Sequence, residues 1–388
     1  MTQITLPAAA ERTALLGFSD IVKIRNRVLE LKQTGAKVIQ LEGGEPFLPT
    51  PDFIKDAMKK ALDENHTRYA PSSGIVPLIE SIRAKLSAKN SIDVQKDQII
   101  VTSGGMHGLF CAFQSTLNPG DETILFSPYW TPIKDLIRYC GGVSVRIPWD
   151  EVGAGDMHQT IASRITPRTK VIYVNSPANP TGKVLSRKQM EAIANVAIEH
   201  NLTVIADEAY EDLVYDGSHV SLASLPDMLP RTITVFTLSK SYSMTGWRIG
   251  YVVADRTFMD VLRKIVLNSI NGVSTPTQWA AAAAIADDSG YLKRVLPEYR
   301  SRRDLLVNGL NESGFACSPP AGAFYILVDA RQRLGGDSWK AMEELLSRTG
   351  IATVPGVVFG PEGEGHLRMS YSNPMATIDA AIEGLRTL

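Results

Sequence analysis

The chain has 388 residues, 44% hydrophobic and 21% charged, with 40 basic against 41 acidic side chains for a net charge of −1. That length suits one large domain with a smaller one, and the composition excludes a disordered or collagen-like chain. The balanced charge argues against a broad nucleic-acid-binding face, which needs an excess of Lys and Arg.

Residues 1–20 lack a basic segment followed by an apolar one, because Glu11, Arg12 and Asp20 interrupt what apolarity there is. No secretory signal is expected. The longest uncharged stretches, 98–120 and 265–286, carry Ser, Thr, Asn, Gln, Gly and Pro throughout, so neither reads as a membrane helix. Three cysteines, Cys111, Cys140 and Cys317, are too few and too scattered for a disulfide framework or a thiolate site, which makes a reducing cytoplasm the expected location. The six histidines form no close ligand spacing, and no metal is expected.

From about residue 98, short β-branched runs alternate with helix-like stretches. The runs are 98–102, 122–126, 143–147, 170–175, 202–207 and 232–237, with a seventh near 249–253. Unalternating apolar runs suit strands buried on both faces, so the pattern predicts an α/β fold with a mostly parallel seven-stranded sheet covered by helices. After the alanine-rich stretch the strands thin out to 323–328 and 366–370 among charged helices. This predicts a large domain over 50–284 and a smaller α+β unit built from 1–49 and 285–388.

Ligands of open α/β sheets bind beyond the carboxyl ends of the strands, so the polar residues after each run carry the functional reading. After the first run, Ser103, Gly104, Gly105 and Met106 open a helix, a turn suited to a phosphate. Asp207 and Glu208 end a buried strand and resemble the acidic box of a P-loop nucleotidase. That alternative fails, because Gly182-Lys183 is followed by Val184 and Pro177 stands where the first glycine belongs. Lys240 follows a strand among the hydroxyls of Thr237 and Ser239, with Arg248 eight residues on. Desolvation and nearby cations lower a lysine pKa, as an amine nucleophile requires, while the hydroxyls and the guanidinium suit a phosphate.

Together, Asn179-Pro180-Thr181-Gly182, Asp207-Glu208-Ala209-Tyr210, Ser239-Lys240 with Gly246-x-Arg248-x-Gly250, and His366-Leu367-Arg368 resemble the class I/II aminotransferases of PLP fold type I. The likeness is nearest to the branch containing bacterial aspartate aminotransferases and runs from about Ile39 to the C-terminus. The resemblance implies pyridoxal 5'-phosphate attached to Lys240, which also serves as general base. It implies that Asp207 pairs with the cofactor's ring nitrogen, Asn179 and Tyr210 bond its phenolic oxygen, and Trp130 stacks on the ring. Gly104, Gly105, Met106, Thr237, Ser239 and Arg248 hold the phosphate, joined by Tyr69 from the neighbouring subunit of a homodimer. Gly44 and Arg368 address the substrate carboxylate. The implied reaction moves an amino group between an L-amino acid, aspartate-type favoured, and a 2-oxo acid by a ping-pong mechanism. Elimination, replacement or cyclisation on the same fold is the alternative. A third reading, an effector sensor behind a DNA-binding domain, is disfavoured by the fewer than 40 residues before Ile39. Where the branch often carries Lys-Gln after the paired glycines, this chain has Met106-His107, and that departure bears on contacts to the cofactor's ring or to the substrate side chain.

Overall fold

The computed structural model describes residues 20–388 together with 10, 13 and 16–18, the side chain of residue 154 aside. The rest of the N-terminal segment, Glu11 and Arg12 included, lies outside the described residues. The strands in chain order are β1 (Ile39–Gln40), β2 (Ile99–Thr102), β3 (Glu122–Ser127), β4 (Val143–Pro148), β5 (Thr169–Asn175), β6 (Thr203–Asp207), β7 (Thr232–Thr237), β8 (Gly250–Val253), β9 (Tyr325–Asp329), β10 (Ile351–Ala352), β11 (Val354–Pro355) and β12 (His366–Ser370).

Seven of these form one sheet in the order β2-β8-β7-β6-β5-β3-β4, in which only β8 runs against the direction of the other six. The expected mostly parallel seven-stranded sheet is therefore present. Successive residues of each strand face opposite sides. Ile100, Leu125, Val171, Tyr173, Ile205 and Val235 pack beneath the helices Gly104–Thr116 and Arg256–Ile270. Ile124, Phe126, Ile172, Val174 and Val204 pack on the other side against Arg187–Glu199. That last helix starts at a capping box in which Ser186 and Gln189 satisfy each other's backbone amides.

β4 departs from the sequence reading. It is one of the two edge strands, and Val143 is 47% exposed rather than buried on both faces. A β-branched run looks the same at an edge as at a centre, since periodicity carries no information about which neighbours arrive.

The remaining strands form a three-stranded antiparallel sheet, β11-β12-β9, and the parallel pair β1-β10. They share a core with the long helix Tyr291–Glu312 and the final helix Met375–Arg386, into which Val28 and Leu41 are also packed. The segment after β1 is stitched to β12, where Ser370 N donates to Leu41 O (2.7 Å) and Arg368 Nη2 to Glu42 O (2.6 Å). Among the described residues no helix is long and apolar enough to cross a membrane.

Candidate active site

Parallel β5, β6 and β7 end side by side, which sets Asn175, Asp207 and Thr237 along one rim of the sheet. A cavity of about 280 Å³ opens there. Gly44, Gly105, Met106, Trp130, Asn179, Asp207, Tyr210, Thr237, Ser239, Lys240, Arg248 and Arg368 all line it, so residues scattered over most of the chain converge. Two expected site residues stand outside this lining. Gly104 lies just behind it, and Tyr69 is 94% exposed in a separate recess with residues 270–276.

Lys240 is buried and donates from Nζ to Gly44 O at 2.7 Å. Burial pulls its pKa from 10.5 down to about 8, with the Arg368 and Arg248 guanidiniums acting in the same direction and Glu45 and Asp207 opposing. Asp207 accepts from Tyr173 Oη at 2.8 Å and from Ala209 N at 3.3 Å, yet burial still pushes its carboxyl up to about 6. Tyr210 and Tyr325 share a hydrogen bond between hydroxyls at 3.1 Å, and burial raises the Tyr210 phenol well above its usual range.

The phosphate-suited corner depends on two close approaches. Gly104 has φ of +75°, in the region L side chains avoid, and a Cβ there would lie 2.5 Å from Arg248 Nη2. A Cβ on Gly250 would lie 2.5 Å from Phe236 O and 3.0 Å from the Gly104 carbonyl carbon. The glycines thus let the lysine–arginine loop close onto the helix N-terminus. Arg248 itself sits at φ +54°, a strained setting for an arginine, with Nη1 on Thr245 O at 2.7 Å. Thr237 Oγ1 donates to Ser239 Oγ at 2.9 Å beside it.

At the opposite corner Arg368 is 2% exposed, with Nη1 3.3 Å from Asn179 Oδ1 and its plane over the Tyr325 ring. Its Nε is buried with no hydrogen-bond partner among the described residues. A buried guanidinium with a free donor, and a second guanidinium beside two hydroxyls at a helix N-terminus, make a donor set for two anionic groups. These residues fit pyridoxal phosphate at one corner and a carboxylate at the other.

Sequence reading missed Tyr173, Asn175 and Tyr325, which orient this set. Asn175 Oδ1 accepts from Asn179 N at 3.0 Å and its Nδ2 donates to Asp207 O at 3.1 Å. Being at the carboxyl end of β5 was the available signal for Asn175. Spacing also gave no sign that Glu208, Glu211 and His219 meet. Their carboxylates are already engaged by Lys85, Asn90, Ser221 and His219. His107 is held by Ser103 N at 3.3 Å and Ser269 Oγ at 2.9 Å.

A family model described as aminotransferase class I and II matches residues 36–385. The aspartate/prephenate aminotransferase of Thermus thermophilus is 37% identical over 369 residues, 94% of each chain. The aspartate aminotransferase of Bacillus subtilis is 34% identical, covering 97% of this chain and 98% of that one. Among solved structures, Thermus thermophilus aspartate aminotransferase with maleate superposes with a TM-score of 0.94 at 35% identity, covering 98% of this chain and all of that one. The aromatic aminotransferase of Pyrococcus horikoshii gives 0.87 at 35% identity, with 93% and 98% covered.

Proposed function

Because the chain belongs to the class I and II aminotransferase family and is a pyridoxal-phosphate-dependent transaminase, we propose the part that each residue of the cavity takes in moving an amino group from an L-amino acid to a 2-oxo acid. When bound, pyridoxal phosphate supplies an electron sink that makes the substrate's α C–H bond acidic.

Lys240 would hold the cofactor covalently, and its amine, titrating near 8, would take the substrate's α-proton and return it. Asp207, fixed by Tyr173, pairs with the ring nitrogen, and Asn179 and Tyr210 bond the phenolic oxygen. Trp130 covers the ring. The amides of Gly104, Gly105 and Met106, the hydroxyls of Thr237 and Ser239, and Arg248 hold the phosphate. Arg368 grips the α-carboxylate with Gly44 beside it, and so fixes which bond to Cα faces Lys240.

L-aspartate is the donor we propose, on the strength of the relatives' names. The large unit spans 50–284 and the smaller one 1–49 with 285–388, a division supported by the core that gathers Val28, Leu41, Tyr299 and the last helix, to which Tyr210, Leu213 and Tyr215 of the large unit also contribute. The exposure of Tyr69 supports a homodimer in which it completes the partner's phosphate site. Three free cysteines agree with a reducing cytoplasm.

The observation carrying this reading is the buried Lys240 in one cavity with Asp207, Arg248 and Arg368. Borohydride reduction of the holoenzyme and peptide mapping should place the pyridoxyl label on Lys240. A label on another lysine, or none, sinks the assignment.

A further inference from the structure

Behind the cavity wall lies a buried polar cluster whose members are not among the cavity-lining residues. The helix Val76–Lys85 runs into a π-helical turn, Leu86–Asn90, and such turns recur at functional sites. Lys85 Nζ donates to Glu211 and, at 3.1 Å, to Tyr251 Oη on β8, while Lys89 pairs with Asp212. Asn90 Nδ2 donates to Glu211 Oε2 at 2.8 Å and to Ser221 Oγ at 2.9 Å. Ser221 and His219 in turn hold Glu208, at 2.6 and 2.7 Å. Asp212 Oδ2 also accepts from Ser241 Oγ at 2.5 Å, and that bond crosses from the turn after β6 to the turn after β7. The chain therefore alternates along this rim. Asp207, Tyr210 and Lys240 line the cavity, while the residues beside them, Glu208, Glu211, Asp212 and Ser241, are tied to the cluster behind it. The side chains of Glu211 and Asp212 are each only 8% exposed. A buried ion pair adds little stability over well-packed apolar side chains of similar volume. What its hydrogen bonds supply is direction.

We propose that Glu211 and Asp212 are positioning residues. Anchored by Lys85 and Lys89, they fix the turn bearing Tyr210 against the turn bearing Lys240, and so seat the Tyr210 hydroxyl on the cofactor's phenolic oxygen. The inference rests on the assignment of Tyr210 and Lys240 above, and deepens it.

Two variants loosen this clamp without stranding a buried charge. Ser241→Ala removes the crossing bond and leaves Asp212 on Lys89; Lys85→Met combined with Glu211→Met removes an anchor and its partner together. Titrating the visible absorbance of bound pyridoxal phosphate against pH reads the Tyr210 contact, because a hydrogen bond to the ionised phenolic oxygen lowers the midpoint. Both variants should raise that midpoint by roughly half a pH unit or more, the scale of one weakened hydrogen bond. In the same proteins kcat should fall about tenfold, whereas KM, set at the Arg368 corner, should move by less than about twofold. An unmoved midpoint in folded Ser241→Ala, whatever the melting temperature of its apoprotein, makes the cluster structural support and overturns the proposal. Should the double substitution not fold, Ser241→Ala decides alone. Tyr210→Phe, run in parallel, should raise the midpoint further. If it leaves the midpoint unmoved, the assignment of Tyr210 falls and takes the proposal with it; a shift in Tyr210→Phe alone removes only the proposal.

Discussion

Lys240 sits where a cation is unwelcome, and that position has a stability signature. Its folded-state pKa, about 8, lies below the unfolded 10.5, so the folded state holds the proton less tightly. Below about pH 8 both states are charged and burial costs the full difference, on the order of 3 kcal/mol; the cost fades between 8 and 10.5, where only the unfolded chain still binds the proton. With the cofactor stripped from both proteins, Lys240→Met should therefore melt higher than the parent at pH 7, with the gap closing by pH 10.5. A gap independent of pH in thermal melts would contradict this account. Tyr173 supports a second prediction. Its hydroxyl steadies the Asp207 carboxylate, so Tyr173→Phe should raise the Asp207 pKa and move the acid limb of kcat/KM to higher pH. The accompanying loss should be about 1–3 kcal/mol at pH 7, the cost of leaving a buried acceptor short of a donor. An unmoved acid limb would make Tyr173 mere packing. The sequence reading named Asp207 but not Tyr173, because a tyrosine inside an apolar strand reads as core. The face it presents is settled only when β5 is laid beside β6.

The loop from Lys240 to Gly250 joins two neighbouring strands, and its two closest contacts should fail differently. Gly250→Ala drives a methyl into the Phe236 carbonyl inside the sheet, and should lower stability by about 1–3 kcal/mol in denaturant unfolding, with or without cofactor. Gly104→Ala instead displaces the end of Arg248 at the rim. It should weaken pyridoxal phosphate binding, measured by equilibrium dialysis, more than it weakens the fold. Equal effects of both substitutions on both measurements would refute the separation. At this scale the long strands were legible because β-branched runs between turns have few other destinations. The two-residue strands β1, β10 and β11 were not, since pairings that short are imposed by the surrounding core. The edge position of β4 was illegible for the same reason, being a property of the assembled sheet.

Across the whole molecule, the order of motifs was readable, and so was the convergence of Asn179, Asp207, Lys240 and Arg368, because each stands at a strand end or in a motif whose order matches the family. If Tyr69 serves the partner's site, mixing inactive Lys240→Ala with impaired Tyr69→Phe chains should restore activity through hybrids that hold one intact site. Verified hybrids without that regain would argue against a shared site. The stitching of residues 41–46 to β12 has a further consequence, for the order in which the protein is made. A ribosome has delivered Gly104, Asp207, Lys240 and Arg248 well before it reaches Arg368, so a nascent chain holds the proposed cofactor contacts of its own subunit while the backbone of Leu41 and Glu42 still waits for its partners. The corner that Arg368 forms with residues 41 and 42 is therefore completed only when the last strand emerges.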